Sequence, residues 1–155
     1  MLQKRRCGRR CANVCALSHP TIALRSRVIC ERVAELPVWK SARVAILFEP
    51  INSEPHITTL VEELRRRGSE IIVILPTARE YDDIPIVSAV DLVLVPGLAF
   101  TRDGGRLGRG GGFFDRFLAR RTPRAAKIGV CFNFQIVPSL LLEAHDIKVG
   151  VVVSD

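Results

Sequence analysis

Five short apolar runs punctuate the chain: Val44-Ala45-Ile46-Leu47-Phe48, Ile71 to Leu75, Leu92-Val93-Leu94-Val95, Lys127 to Phe132 and Val151 to Val153. Their lengths and their β-branched residues predict buried strands, the last of them at a sheet edge. Between them the period changes. Leu24, Val28, Ile29, Val33 and Leu36 fall at helical spacing, so a helix is expected from Ile22 to Leu36, ended by Pro37, with Trp39 packing it onto the sheet. Ile57, Leu60, Val61 and Leu64 give the i, i+3, i+4, i+7 face of a second helix, with Pro55 in its first turn and Gly68 as its stop. A third is expected over Phe113 to Arg120. Strands alternating with helices imply parallel crossovers: an α/β layered domain, a mostly parallel sheet with helices on both faces, and ligands at the carboxyl ends of the strands.

With 155 residues, 48% hydrophobic and 25% charged, the chain has ordinary globular composition and enough length to bury one core. No run approaches the roughly 20 apolar residues a bilayer span needs, so no membrane association is expected. Five cysteines without a secretory apolar segment predict free thiols in a reducing, cytoplasmic setting. Cys7, Cys11 and Cys15 recur every four residues, a stripe that suits helix packing better than an incomplete metal set.

The formal charge of +7 changes the picture only once it is located. Residues 1–30 hold seven Lys/Arg and no acidic residue, whereas the other 125 residues carry sixteen of each sign. The chain therefore divides into a basic N-terminal segment, 1–21, and a neutral domain, 22–155. The basic segment suits a polyanion such as ATP or RNA, a solvated tail or a transit peptide. Without interleaved aromatics or a nucleic-acid motif, a nucleic-acid partner is not expected.

Candidate chemistry concentrates after the third run. Pro96-Gly97 stops that strand, and between Asp103 and Gly112 six of ten residues are glycine and two are arginines, Arg106 and Arg109. The stretch reads as a loop, not a second strand, leading into the helix at Phe113. Glycine lets backbone amides converge on an anion, arginine offers fork-shaped donors to phosphate, and a helix start favours negative charge. Asp115, in the first helical turn, suits either a helix cap or a magnesium ligand. The plainer alternative is a flexible turn, since neither G-x-x-x-x-G-K-[ST] nor G-x-G-x-x-G is present.

Arg106-Leu107-Gly108-Arg109-Gly110-Gly111-Gly112-Phe113-Phe114-Asp115, preceded by Pro96-Gly97-Leu98-Ala99-Phe100, resembles the signature PG-x-x-F-x-x-x-G-x-RLG-x-G-x-GYYD of the 5-formyltetrahydrofolate cyclo-ligase family. The resemblance covers roughly residues 22–155 and implies a layered α/β fold of the NagB/RpiA/CoA-transferase-like kind. It also implies ATP- and Mg2+-dependent cyclisation of 5-formyltetrahydrofolate to 5,10-methenyltetrahydrofolate, with ADP and phosphate released. It assigns Arg106, Leu107, Gly108, Arg109, Gly110, Gly111, Gly112, Phe113 and Phe114 to ATP, with Lys4 from the basic segment and with Arg106 and Arg109 acting on the phosphates. Glu54, in Pro50-x-x-x-Glu54, would hold the reduced pterin, with Phe48 beside it. Asp115 and Asp146 would hold magnesium, Asp146 belonging to a tail resembling F-x-x-Q...P-x-x-x-x-D that also includes Gln135. A monomer acting on a small molecule and a nucleotide is the expectation, and a homologue that binds ATP or folate without turnover is the alternative. Three departures bear on it: phenylalanines replace two tyrosines, Gly150 stands where a second aspartate is common, and only fourteen residues separate Pro76 from Asp91 where the family has several tens.

Overall fold

All five apolar runs pair in parallel into one sheet in a computed structural model that describes residues 19–51, 54–75 and 89–155. In chain order the elements are α1 (His19–Ala34), α2 (Pro37–Ser41), β1 (Val44–Phe48), α3 (Thr58–Arg66), β2 (Glu70–Ile74) and β3 (Leu92–Val95). There follow β4 (Ala99–Phe100), β5 (Arg106–Leu107), α4 (Phe113–Arg120), β6 (Ala126–Val130) and β7 (Val151–Val153). The sheet order is β2-β1-β3-β6-β7, all parallel, with β7 at an edge as expected. Lys4, the three N-terminal cysteines and most of the short connection before Asp91 lie outside the described residues.

Alternation along the strands divides the core in two, because successive side chains of a strand point to opposite faces. Ala45, Leu47, Leu92, Leu94, Ile128 and Val130 pack with α1, α2 and α3 on one face. Ile46, Val93 and Val95 pack on the other with Phe117 and Leu118 of α4. Helices thus cover both faces, and central strands buried on both sides carry continuous apolar runs for that reason. Asp91 pins the centre of the sheet: its Oδ2 accepts hydrogen bonds from the backbone N–H groups of Arg43 (2.8 Å) and Val44 (3.0 Å).

Four expectations need correction. Pro37 does not end a helix that runs to Leu36; α1 stops at Ala34 and Pro37 opens α2, where its missing N–H removes a donor that would have had no partner in any case. Trp39 lies on that short helix, fully buried. Leu24 is 65% exposed, and the buried stripe of α1 runs instead through Ile22, Ser26, Ile29, Cys30 and Val33. Ser26 belongs there because its Oγ accepts from the His56 N–H (3.0 Å), while Cys30 Sγ donates to the His56 carbonyl (3.3 Å). Pro55 precedes α3, which begins at Thr58. The glycine-rich stretch is not all loop, since it contains β5, which pairs with β4 just before it as a small antiparallel hairpin.

At the end of the sheet opposite the strands' carboxyl termini, Arg67 caps α3 and reaches across to α2. Its Nη2 donates to the carbonyls of Trp39 (3.1 Å), Lys40 (2.8 Å) and Ala42 (3.1 Å), closing the C-terminus of α2 against α3. Arg67→Ala is expected to lose about 1–2 kcal/mol of stability, read as a lower urea midpoint with an unchanged m-value.

Candidate active site

The strand order reverses between β1 and β3, and at such a point the loops leaving two adjacent carboxyl ends diverge and open a crevice. The crevice here has a volume of about 450 Å3. Ile51, after β1, and Pro96 and Gly97, after β3, form one part of its lining, with Ile74 and Leu75 at the end of β2. Arg106, Arg109, Gly111, Phe113, Phe114, Asp115 and Arg116 form the rest. The cleft thus gathers most of the residues that the glycine-rich stretch nominates.

Their geometry divides the two arginines. Arg106 lies on β5, its side chain only 3% exposed, and its Nη2 donates to Asp115 Oδ1 at 2.8 Å. The Phe114 ring lies 5.7 Å from the guanidinium carbon, so an aromatic face covers the cation on a second side. Arg106 Nε is buried with no hydrogen-bond partner among the described residues. Gly108 makes room for this packing, because a Cβ there would come within 2.8 Å of Arg106 Nη1.

Asp115 makes no helix-capping bond; the N-cap of α4 is Gly112, at φ 62° in the left-handed region that favours glycine. Its Oδ1 instead accepts from Arg106 and from the Ile147 N–H (3.2 Å), joining the hairpin, α4 and the segment before β7. Asp146 is therefore adjacent in sequence to a group bound by Asp115. Its own Oδ2 accepts from the Glu143 N–H (2.7 Å), and exposed His145 lies 3.9 Å from its Oδ1. No cluster of three or more His, Cys, Asp or Glu suited to a metal occurs among the described residues.

Arg109 is 51% exposed and its Nη2 lies 3.3 Å from Oε1 of Glu54, which is 8% exposed. Glu54 Oε2 accepts from the Ile51 N–H (3.1 Å). Burial raises the Glu54 pKa above the ordinary carboxyl range, and the Ile51 amide and the Arg109 charge oppose this only in part. Phe48 is buried in the core beside α1 and α3 and does not line the cleft.

Two supporting groups escape a reading by residue type. Gln135 is buried, its Nε2 donating to the carbonyls of Gly97 (3.1 Å) and Leu98 (3.3 Å) while its Oε1 accepts from the Phe132 N–H (2.8 Å). It holds the Pro96-Gly97 turn, and its F-x-x-Q context was the available signal. Arg116 lines the cleft from the first turn of α4, where its only signal is a second cation close behind the glycines.

The Arg106–Asp115 pair is expected to behave as one unit. Arg106→Ala leaves a largely buried carboxylate without its cation and should cost roughly 3–5 kcal/mol. Adding Asp115→Asn should cost much less than the sum of the single changes, a coupling that a double-mutant cycle by urea denaturation measures.

Glu54 carries a pH dependence of defined sign. Its folded pKa lies above its unfolded value, so between the two the folded state binds more protons and stability falls as pH rises through the folded pKa. Glu54→Gln should lack this component, so its stability relative to wild type should improve as pH rises above the ordinary value of 4.5, as urea titrations at successive pH values would show.

The model of the 5-formyltetrahydrofolate cyclo-ligase family matches residues 82–155. A 5-formyltetrahydrofolate cyclo-ligase of Mycolicibacterium smegmatis is 28% identical over 139 residues, 69% of this chain and 71% of that protein. One from Mycoplasma pneumoniae is 26% identical over 132 residues, 79% of each chain. The NMR structure of a 5,10-methenyltetrahydrofolate synthetase from Aquifex aeolicus superposes with a TM-score of 0.81 at 27% identity, covering 99% of this chain and 90% of that one.

Proposed function

We propose that this chain is a 5-formyltetrahydrofolate cyclo-ligase like the relatives it resembles, an enzyme that uses ATP to cyclise 5-formyltetrahydrofolate to 5,10-methenyltetrahydrofolate, releasing ADP and phosphate. The observation that carries the reading is the cleft at the switch point, where Arg109 of the lining reaches out to the buried carboxylate of Glu54, which follows β1. The reaction needs an acceptor for a pterin edge and donors for phosphate within one enclosure.

The chemical difficulty is that a formamide oxygen is a poor leaving group. In the proposed sequence the formyl oxygen attacks the γ-phosphorus of ATP with ADP as the leaving group, the N10 amine closes the ring on the formyl carbon and gives up its proton to solvent, and phosphate departs with that oxygen. The chain's part is alignment and charge compensation, for which no covalent nucleophile is needed. Cys131 is in any case ill suited, since burial pushes its thiol up to about 12.

Glu54 takes the pterin: a carboxylate can accept two parallel hydrogen bonds from a 2-amino-pyrimidinone edge. Arg109, half in solvent, exchanges Glu54 for a phosphate oxygen as substrates enter. Arg106 keeps its bond to Asp115 and holds the loop in register, with Nε as its remaining donor. Phe113 and Phe114 offer ring faces to a planar ligand and, unlike tyrosines, no hydroxyl.

Magnesium fits Asp115 and Asp146. Each keeps one carboxylate oxygen that accepts no hydrogen bond among the described residues, and this ion is commonly held by one or two carboxylates plus substrate phosphates and water. When bound it supplies neutralisation of phosphate charge.

The competing reading is a homologue that binds without turnover, favoured by the two phenylalanines. Mixing the protein with 5-formyltetrahydrofolate and Mg-ATP is expected to raise methenyl-folate absorbance; saturable binding with no absorbance change would select the competing reading. Glu54→Gln is expected to lose about 10- to 100-fold in kcat/KM, mostly in the KM for the folate, as removal of a charged acceptor predicts.

A further inference from the structure

We infer that Arg116 is a further cation of this cleft, beside Arg109, that receives an oxyanion of the nucleotide's phosphate chain. The inference rests on the nucleotide reading proposed above and adds to it a residue outside the glycine-arginine signature.

The argument is one of charge placement. Three arginines line the cleft. Arg106 is sealed against Asp115 and roofed by Phe114, so moving its terminal nitrogens toward a ligand would strand a largely buried carboxylate. Arg109 reaches Glu54 and becomes available to phosphate only when a ligand takes its place on that buried carboxylate. Arg116 has no such competitor: its side-chain hydrogen bond is from Nη1 to the neutral carbonyl of Gly111 at 3.0 Å, and no carboxylate pairs with it among the described residues. That contact orients the guanidinium across the end of the glycine loop without neutralising it, which leaves its other donors for an anion.

Gly111 and Gly112 complete the placement. A Cβ at Gly111 would meet nothing within 4 Å, so the backbone there faces open space, and a Cβ at Gly112 would lie 2.8 Å from Arg116 Nη1. The guanidinium therefore lies where a side chain on the neighbouring glycine would otherwise stand, beside an opening that a phosphate can enter. A guanidinium fixed by one bond forms its remaining bonds to phosphate oxygens with less loss of freedom than a free side chain.

The test is calorimetric binding of two probes separately, a non-hydrolysable ATP analogue with magnesium and monoglutamyl 5-formyltetrahydrofolate, to wild type, Arg116→Gln, Arg116→Lys and Arg124→Gln. Arg124 is exposed and outside the cleft lining, so its loss controls for overall charge. Arg116→Gln is expected to weaken the analogue roughly tenfold, as loss of a charged hydrogen bond predicts. Arg116→Lys should fall between it and wild type, Arg124→Gln should match wild type, and folate affinity should hold throughout. Unchanged analogue affinity in Arg116→Gln, equal weakening in Arg124→Gln, or weakening of the folate alone would each overturn the inference. Wild type that binds folate but no nucleotide would overturn the nucleotide reading itself, an outcome distinct from the other three.

Discussion

One oxygen of Asp115 holds three pieces of this fold together. It accepts from Arg106 on the hairpin and from the Ile147 N–H in the segment before β7, while its own backbone belongs to α4. The site therefore depends on an ion pair withdrawn from water, and pairs of that kind have an asymmetric energetics. Desolvation offsets much of the attraction when the pair is intact, yet removing one partner leaves a charge with nothing to compensate it. What the pair contributes is thus a penalty on alternative arrangements more than net stability. Packing around it follows: the Cβ-free positions at Gly97 and Gly108 leave room for the arginine's stem and head, since a Cβ at Gly97 would lie 3.1 Å from Arg106 Cγ.

The second pair, Glu54 with Arg109, works under different physics. Here one partner is half in solvent and the other is buried, so the cation can leave while the carboxylate cannot. Burial raises the Glu54 pKa despite the arginine, which means the neighbouring charge does not fully replace lost hydration. A ligand offering two donors in place of one would relieve that deficit. The site thus combines a fixed pair in the cleft that sets geometry with an exchangeable pair at its margin whose carboxylate is incompletely satisfied.

Much of the sheet was legible because strands buried on both faces need uninterrupted apolar runs, and Ala45 to Phe48 and Leu92 to Val95 have them. The hairpin was not, since strands of two residues carry no periodicity and their glycines read as loop. Helix α1 was placed approximately, but its inward face was misread at Leu24. Apolar residues occur on both sides of that helix, and Ser26, polar by type, is drawn inward by a backbone group of another segment.

Charged residues were the least legible, for one physical reason. Residue type states what an arginine can donate to; burial and neighbours decide what it already holds. Arg67, in a run of three arginines, closes three carbonyls, and Arg106 reads as a loop donor and is enclosed. The glycines were legible as a place where backbone comes close, but what comes close to Gly108 is the protein's own guanidinium. A glycine- and arginine-rich stretch is therefore a statement about crowding before it is one about ligands: some of its arginines are structural, and the positive charge offered to solvent has to be found by subtraction once the fold has paired the rest.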